Sequence, residues 1–104
     1  MDITDNQKLL LAIGLSRGEK IGENKYKNTL LRYEDAVGLY NSKEAGQNAL
    51  VTLVFKGYIE NTDIPGRFRV IKATPDIEAH ADKLREKRKK KEKELQEQLA
   101  IEWD

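Results

Sequence analysis

The stretch NSKEAGQNALVTLVFKGYIENTDIPGRFRV, residues 41–70, decides the fold. Ala49, Leu50, Leu53 and Val54 recur at three- and four-residue spacing. That lays an apolar stripe along a helix and leaves Lys43, Glu44, Gln47 and Asn48 on its other face. Asn41 or Ser42 can cap this helix, because their side-chain oxygens accept from N–H groups that have no partner in the first turn. Gly57 ends it, since a residue without a Cβ enters the left-handed conformation at no steric cost. Tyr58, Ile59 and Glu60 then read as a strand, Asp63-Ile64-Pro65-Gly66 as a turn, and Arg67-Phe68-Arg69-Val70 as the return strand. Alternation along that strand sets Arg67 and Arg69 on one face and Phe68 and Val70 on the other. Val51 and Phe55, four residues apart, fall beside the apolar stripe. Either the buried face is wide, or they meet the C-terminal helix or a second subunit.

Upstream, TLLRYEDAVGLY (29–40) admits two readings: one helix capped at Asn28 or Thr29, or a short strand through Tyr33 followed by a helix from Glu34 to Val37 or beyond. The second is favoured, with the strand joining the hairpin in a three-stranded sheet. Thr4 or Asp5 can cap a first helix whose buried stripe is Leu9, Leu10, Ala12 and Ile13, with Gly18 as its stop. Residues 17–28, RGEKIGENKYKN, lack apolar periodicity and read as a loop or a hairpin. Their Gly-Glu-Lys is not a phosphate loop, because the G-x-x-x-x-G-K-[ST] spacing is missing.

Ala36-Val37-Gly38-Leu39, Leu50 and Leu53, and Gly57-Tyr58-Ile59 together resemble the winged-helix DNA-binding superfamily across Glu34 to Ile71. The resemblance implies a helix from Ser42 in the major groove and a hairpin near Pro65 at the backbone or minor groove. The expected fold is therefore α+β: a winged helix-turn-helix over residues 1–75, with a three-helix core and a β-hairpin wing, and a long charged helix over 76–104. Short, cysteine-free modules of this type resemble the small regulators of phages, archaeal viruses and plasmids.

Composition sets the outer bounds. A chain of 104 residues holds one domain plus an appendage and buries roughly 60–65% of its unfolded surface. Without cysteine, disulfide and thiolate chemistry are absent, and a structural zinc site lacks its usual ligands. The first residues have no signal-peptide pattern and no apolar run reaches about 20 residues, so the expectation is a cytoplasmic or nucleoid-associated protein that does not enter a membrane. The formal net charge of +1 hides a segregation. Residues 83–93 hold eight Lys/Arg against two acids, whereas residues 94–104 hold four acids and no cation.

Thr74-Pro75-Asp76 starts the last helix. Ile77, Ala81 and Leu84 make its only early apolar stripe, nothing apolar lies between Arg85 and Glu94, and Leu95, Leu99, Ile101 and Trp103 restore apolar character at its end. The basic middle is open to three readings: a phosphate-binding surface, a solvated spacer supported by pairs such as Glu86 with Lys90, or a frayed tail. Its far end calls for a partner, either a second copy of the chain or a larger assembly.

The candidate DNA contacts are Asn41, Ser42, Lys43, Gln47 and Asn48 on the central helix and Arg67 and Arg69 on the hairpin. Asn and Gln both donate and accept at an adenine edge, although polar residues also belong on any solvated face. The two arginines suit phosphate contact and suit protection of an edge strand equally. No catalytic, metal or cofactor set can be assembled: His80 is the only histidine, and Glu78 and Asp82 do not lie at helical ligand spacing from it. Two functions follow. One is a sequence-specific duplex-DNA-binding regulator of transcription, replication or segregation, acting as a homodimer. The other is a non-enzymatic interaction module that docks through its C-terminal helix.

Overall fold

The computed structural model describes residues 3–103, with side-chain surroundings over 3–89. The side chains of Leu95, Leu99, Ile101 and Trp103 lie outside the described residues. Four helices and two antiparallel sheets form an α+β domain in the order α1 (Asp5–Ser16), β1 (Glu19–Gly22), β2 (Lys25–Lys27), β3 (Leu30–Arg32), α2 (Tyr33–Tyr40), α3 (Lys43–Phe55), β4 (Ile59–Asn61), β5 (Arg67–Val70) and α4 (Pro75–Trp103).

Thr4 and Gln7 cap α1 reciprocally. The Thr4 hydroxyl accepts from the Gln7 N–H at 3.2 Å, and the Gln7 carbonyl accepts from the Thr4 N–H at 2.9 Å. Leu10, Leu11, Ala12 and Leu15 are buried on this helix, while Leu9 and Ile13 are only half-buried. The stripe expected from Leu9 and Ile13 is thus corrected toward Leu11 and Leu15. The cause is tertiary: α4 packs on one side of α1 while β3, β5 and α2 pack on another, so α1 is buried around most of its circumference.

The 17–28 segment is a hairpin, β1 against β2, turning through Asn24 in the left-handed region at φ 53°. The Tyr26 hydroxyl donates to the Glu78 carboxylate, and the Lys20 ammonium meets the same carboxylate at 3.2 Å, which fastens the hairpin to α4. The second sheet has the order β3-β5-β4, so the short strand before α2 does join the Ile59–Val70 hairpin. Its inner face places Leu31, Ile59 and Val70 against Leu10, Leu50 and Leu53 in one core. The fully buried Thr29 hydroxyl donates to the Val70 carbonyl at 2.8 Å, leaving no orphan there.

Asn41 does not cap α3. It ends α2 in the left-handed region at φ 52°, a conformation asparagine tolerates, and Ser42 is the cap, its hydroxyl accepting from the Ala45 N–H at 3.2 Å. The chain therefore turns sharply from α2 into α3. Gly46 permits the two helices to touch, because a Cβ there would lie 2.9 Å from the Ala36 carbonyl carbon and the Val37 nitrogen. Gly57, at φ 81°, stops α3 as its sequence position requires.

Helix α4 runs beside α1 in the same direction, with Lys8 3.5 Å from Asp76 near their starts. Ile77 and Ala81 are buried and Leu84 is half-buried. Nothing apolar lies between Arg85 and Glu94, yet two cations of this stretch reach the domain through polar contacts. Arg85 donates to the carbonyls of Leu15 at 2.5 Å and Gly18 at 3.0 Å, and Arg88 donates to the Ser16 hydroxyl at 3.2 Å. These guanidiniums sit where the dipole of α1 is negative and its last carbonyls lack helical partners. Past Arg88, α1 has ended. The remaining turns of α4, about 22 Å of helix, overhang the domain. The radius of gyration of 15.5 Å exceeds the roughly 13 Å of a compact chain this long for that reason. Among the described residues no helix is long and apolar enough to cross a membrane.

Candidate functional site

The exposed face of α3 changes character along its length. Lys43, Glu44, Gln47 and Asn48 are exposed in its first turns, with Asn41 and Ser42 exposed in the turn before it. Four-residue steps from Lys43 through Gln47 then lead to Val51, 59% exposed, and Phe55, 92% exposed. The buried face of α3 is therefore narrow, and α4 does not cover the two apolar residues. They border a groove of about 420 Å³ between α3 and the hairpin end of the three-stranded sheet, lined also by Tyr33, Gln47, Gly66 and Phe68. Ile64, 51% exposed, stands at the hairpin tip.

The tip is held by Thr62, whose hydroxyl donates to the Arg67 carbonyl at 2.9 Å, while the Arg67 N–H donates to the Ile64 carbonyl at 3.2 Å. Gly66 takes the left-handed position at φ 76° and accepts from the Tyr33 N–H at 2.8 Å, which joins the tip to the start of α2.

Since Phe68 faces the groove, Arg67 and Arg69 occupy the other face of the sheet. There they diverge. Arg69 lies opposite Glu60 in the register and forms an ion pair with it. Arg67 has no side-chain partner among the described residues and lies opposite Arg32. Two like charges directly opposite across an antiparallel pair are unfavourable, and an anion between them would offset the repulsion. Arg32 escaped the sequence reading because 35 positions separate it from Arg67, and only the β3–β5 register sets them side by side.

The Arg17–Asp35 pair was also missed. Arg17 reaches from the end of α1 to Asp35 in the first turn of α2, donating bidentately at 2.6 and 2.8 Å, and it donates to the Leu30 carbonyl at 3.1 Å. Asp35 also accepts from the Arg32 N–H at 2.8 Å. Burial pushes the Asp35 carboxyl up, but hydrogen bonds from Arg17 and the Arg32 amide outweigh it and hold the group below its ordinary range. The pair ties the end of α1 to the first turn of α2.

Of the residues expected to touch DNA, the structure brings Asn41, Ser42, Lys43, Gln47 and Asn48 together on one edge of the molecule and Gln47 alone into the groove. Arg69 is engaged elsewhere, and Arg67 gains Arg32 as a neighbour. Among the described residues no group of three His or acidic side chains could hold a metal ion. No family model, no curated protein and no solved structure matches this chain.

Proposed function

We propose that this chain is a winged helix-turn-helix protein that binds duplex DNA and acts as a regulator of transcription, replication or segregation in the cytoplasm or on the nucleoid. The supporting observation is the placement of α3. It follows α2 through a left-handed turn, touches α2 at Gly46, and carries Lys43, Gln47 and Asn48 outward beside the hairpin of a β3-β5-β4 sheet. A helix held this way enters a major groove with its first turns, where Gln47 and Asn48 meet base edges and Lys43 a phosphate. Arg67, with Arg32 beside it, takes a second phosphate.

One observation favours a second reading. Exposed Phe55 and Val51 are apolar residues in a groove, which suits a protein partner and makes the fold a scaffold for docking. Titration of the full-length protein onto a labelled random duplex at low and moderate salt separates the two. The DNA reading requires binding that weakens steeply with salt. Absence of binding at low salt favours the docking module.

A further inference from the structure

Six arginines occur in the chain, and four of them are engaged within the domain. Arg17 holds Asp35, Arg69 pairs with Glu60, and Arg85 and Arg88 donate to the end of α1. The other two, Arg32 and Arg67, are exposed and form no side-chain hydrogen bond or ion pair among the described residues. They are also the two that stand directly opposite each other in the sheet.

The ladder brings them closer still. The Val70 N–H donates to the Thr29 carbonyl at 3.0 Å and the Tyr33 N–H donates to the Gly66 carbonyl at 2.8 Å. Bonded and non-bonded pairs alternate between those ends, which makes Arg32 with Arg67 a non-bonded pair. The Cα atoms of such a pair lie about 4.5 Å apart, and its side chains leave the sheet side by side. Asp35, three residues from Arg32, is already engaged: Arg17 takes both of its oxygens, and the Arg32 N–H shares one. The next outward pair along the strands is Leu30 with Arg69, whose charge Glu60 meets. The uncompensated charge of this face is thus concentrated on two neighbouring guanidiniums.

A guanidinium binds phosphate through two parallel N–H donors and keeps its charge at any working pH. A backbone phosphodiester carries one negative charge, which offsets one of the two cations. A terminal phosphate carries about −1.5 to −2 at pH 7, with three strong acceptor oxygens, and offsets both.

We infer that Arg32 and Arg67 form a clamp for a terminal phosphate, the doubly charged group of a free phosphomonoester or of a phosphorylated nucleic-acid end. This deepens the phosphate contact proposed for the pair, but it rests on the sheet register and not on α3 reading DNA.

The test titrates the full-length protein at pH 7 with methyl phosphate, a monoester, and with dimethyl phosphate, a diester. Backbone and side-chain N–H signals of Arg32 and Arg67 are followed in proton–nitrogen correlation spectra. Both titrations are repeated on Arg32→Gln, Arg67→Gln and, as a control for net charge, Lys25→Gln. All three positions are exposed, so the fold should survive each change, and circular dichroism verifies this. The expected result is saturable shifts at the two arginines, with methyl phosphate bound roughly tenfold more tightly, as its second charge requires. Either arginine variant loses that preference, and Lys25→Gln keeps it. Anisotropy with one short duplex, with and without terminal 5′-phosphates, then identifies the source. Tighter binding of the phosphorylated duplex assigns the clamp to a nucleic-acid end, and no difference assigns it to a free phosphomonoester. Three results overturn the inference: no shift at either arginine, equal affinity for the two phosphates, or arginine variants that keep the preference. The duplex reading fails separately, if the parent binds no duplex at low salt.

Discussion

Arg67 and Arg69 look alike in sequence, two residues apart on one strand, yet their neighbours give them different work. Glu60 already neutralises Arg69, so little charge is left there for a phosphate, whereas Arg67 faces Arg32 and carries charge to spare. Under the proposed DNA reading, Arg67→Ala lowers the slope of log affinity against log salt by about 0.9, the value for one released phosphate contact. Arg69→Ala leaves the slope nearly unchanged. Anisotropy titrations at four salt concentrations check this, and equal effects from the two variants would contradict it. Asp35 makes a second prediction at this scale. Its folded carboxyl titrates below the ordinary value of about 3.9, so the folded chain binds fewer protons than the unfolded chain as acid is added. The pair with Arg17 is thus fully stabilising above the unfolded value and is lost as pH falls through the folded one. Asp35→Asn should cost about 1 kcal/mol at pH 7, a figure discounted for the part exposure of both partners. The gap should narrow at pH 3. Urea denaturation at the two pH values measures it, and a constant gap would show that the charge is not the source.

Among the elements, the contact between α2 and α3 is the one on which the site depends. Exposed helix interiors gain up to about 1 kcal/mol when glycine becomes alanine. Gly46 should behave oppositely, because its Cβ would press on the backbone of Ala36 and Val37, which cannot move aside as a side chain can. Gly46→Ala is expected to lower stability by roughly 1–3 kcal/mol, as overpacking does, and the sign of the change in a thermal melt decides the matter. Much of α3 and the hairpin was legible in the sequence, because the apolar spacing of Ala49, Leu50 and Leu53, the stop at Gly57 and the alternation of Arg67 to Val70 are local signals. The strand before α2 was legible only as one of two alternatives. What local patterns miss is contact between distant segments. Leu11 and Leu15 are buried because α4 returns to α1, Asn41 ends α2 while Ser42, the other cap offered for α3, starts that helix, and Arg32 meets Arg67 only through the sheet. The anchoring of Arg85 and Arg88 on α1 carbonyls is of the same kind, since a run of cations by itself does not reveal a helix end nearby.

At the scale of the whole molecule, one end of the domain presents α3 and the hairpin while α4 carries the chain beyond α1. Gln47 both lines the groove and carries one of the proposed base contacts on α3. That makes α3 the element on which the functional claim stands. The most direct test compares the full-length protein with its Gln47→Ala/Asn48→Ala variant on a duplex selected from a random pool by the parent protein and on a scrambled duplex of equal length. Both residues are exposed, so the fold should survive the change. The prediction is a loss of roughly 1–3 kcal/mol on the selected duplex for each bidentate contact removed, with affinity for the scrambled duplex nearly unchanged. A variant that keeps full preference for the selected duplex, or a parent that binds no duplex at low salt, would contradict the claim that α3 reads DNA.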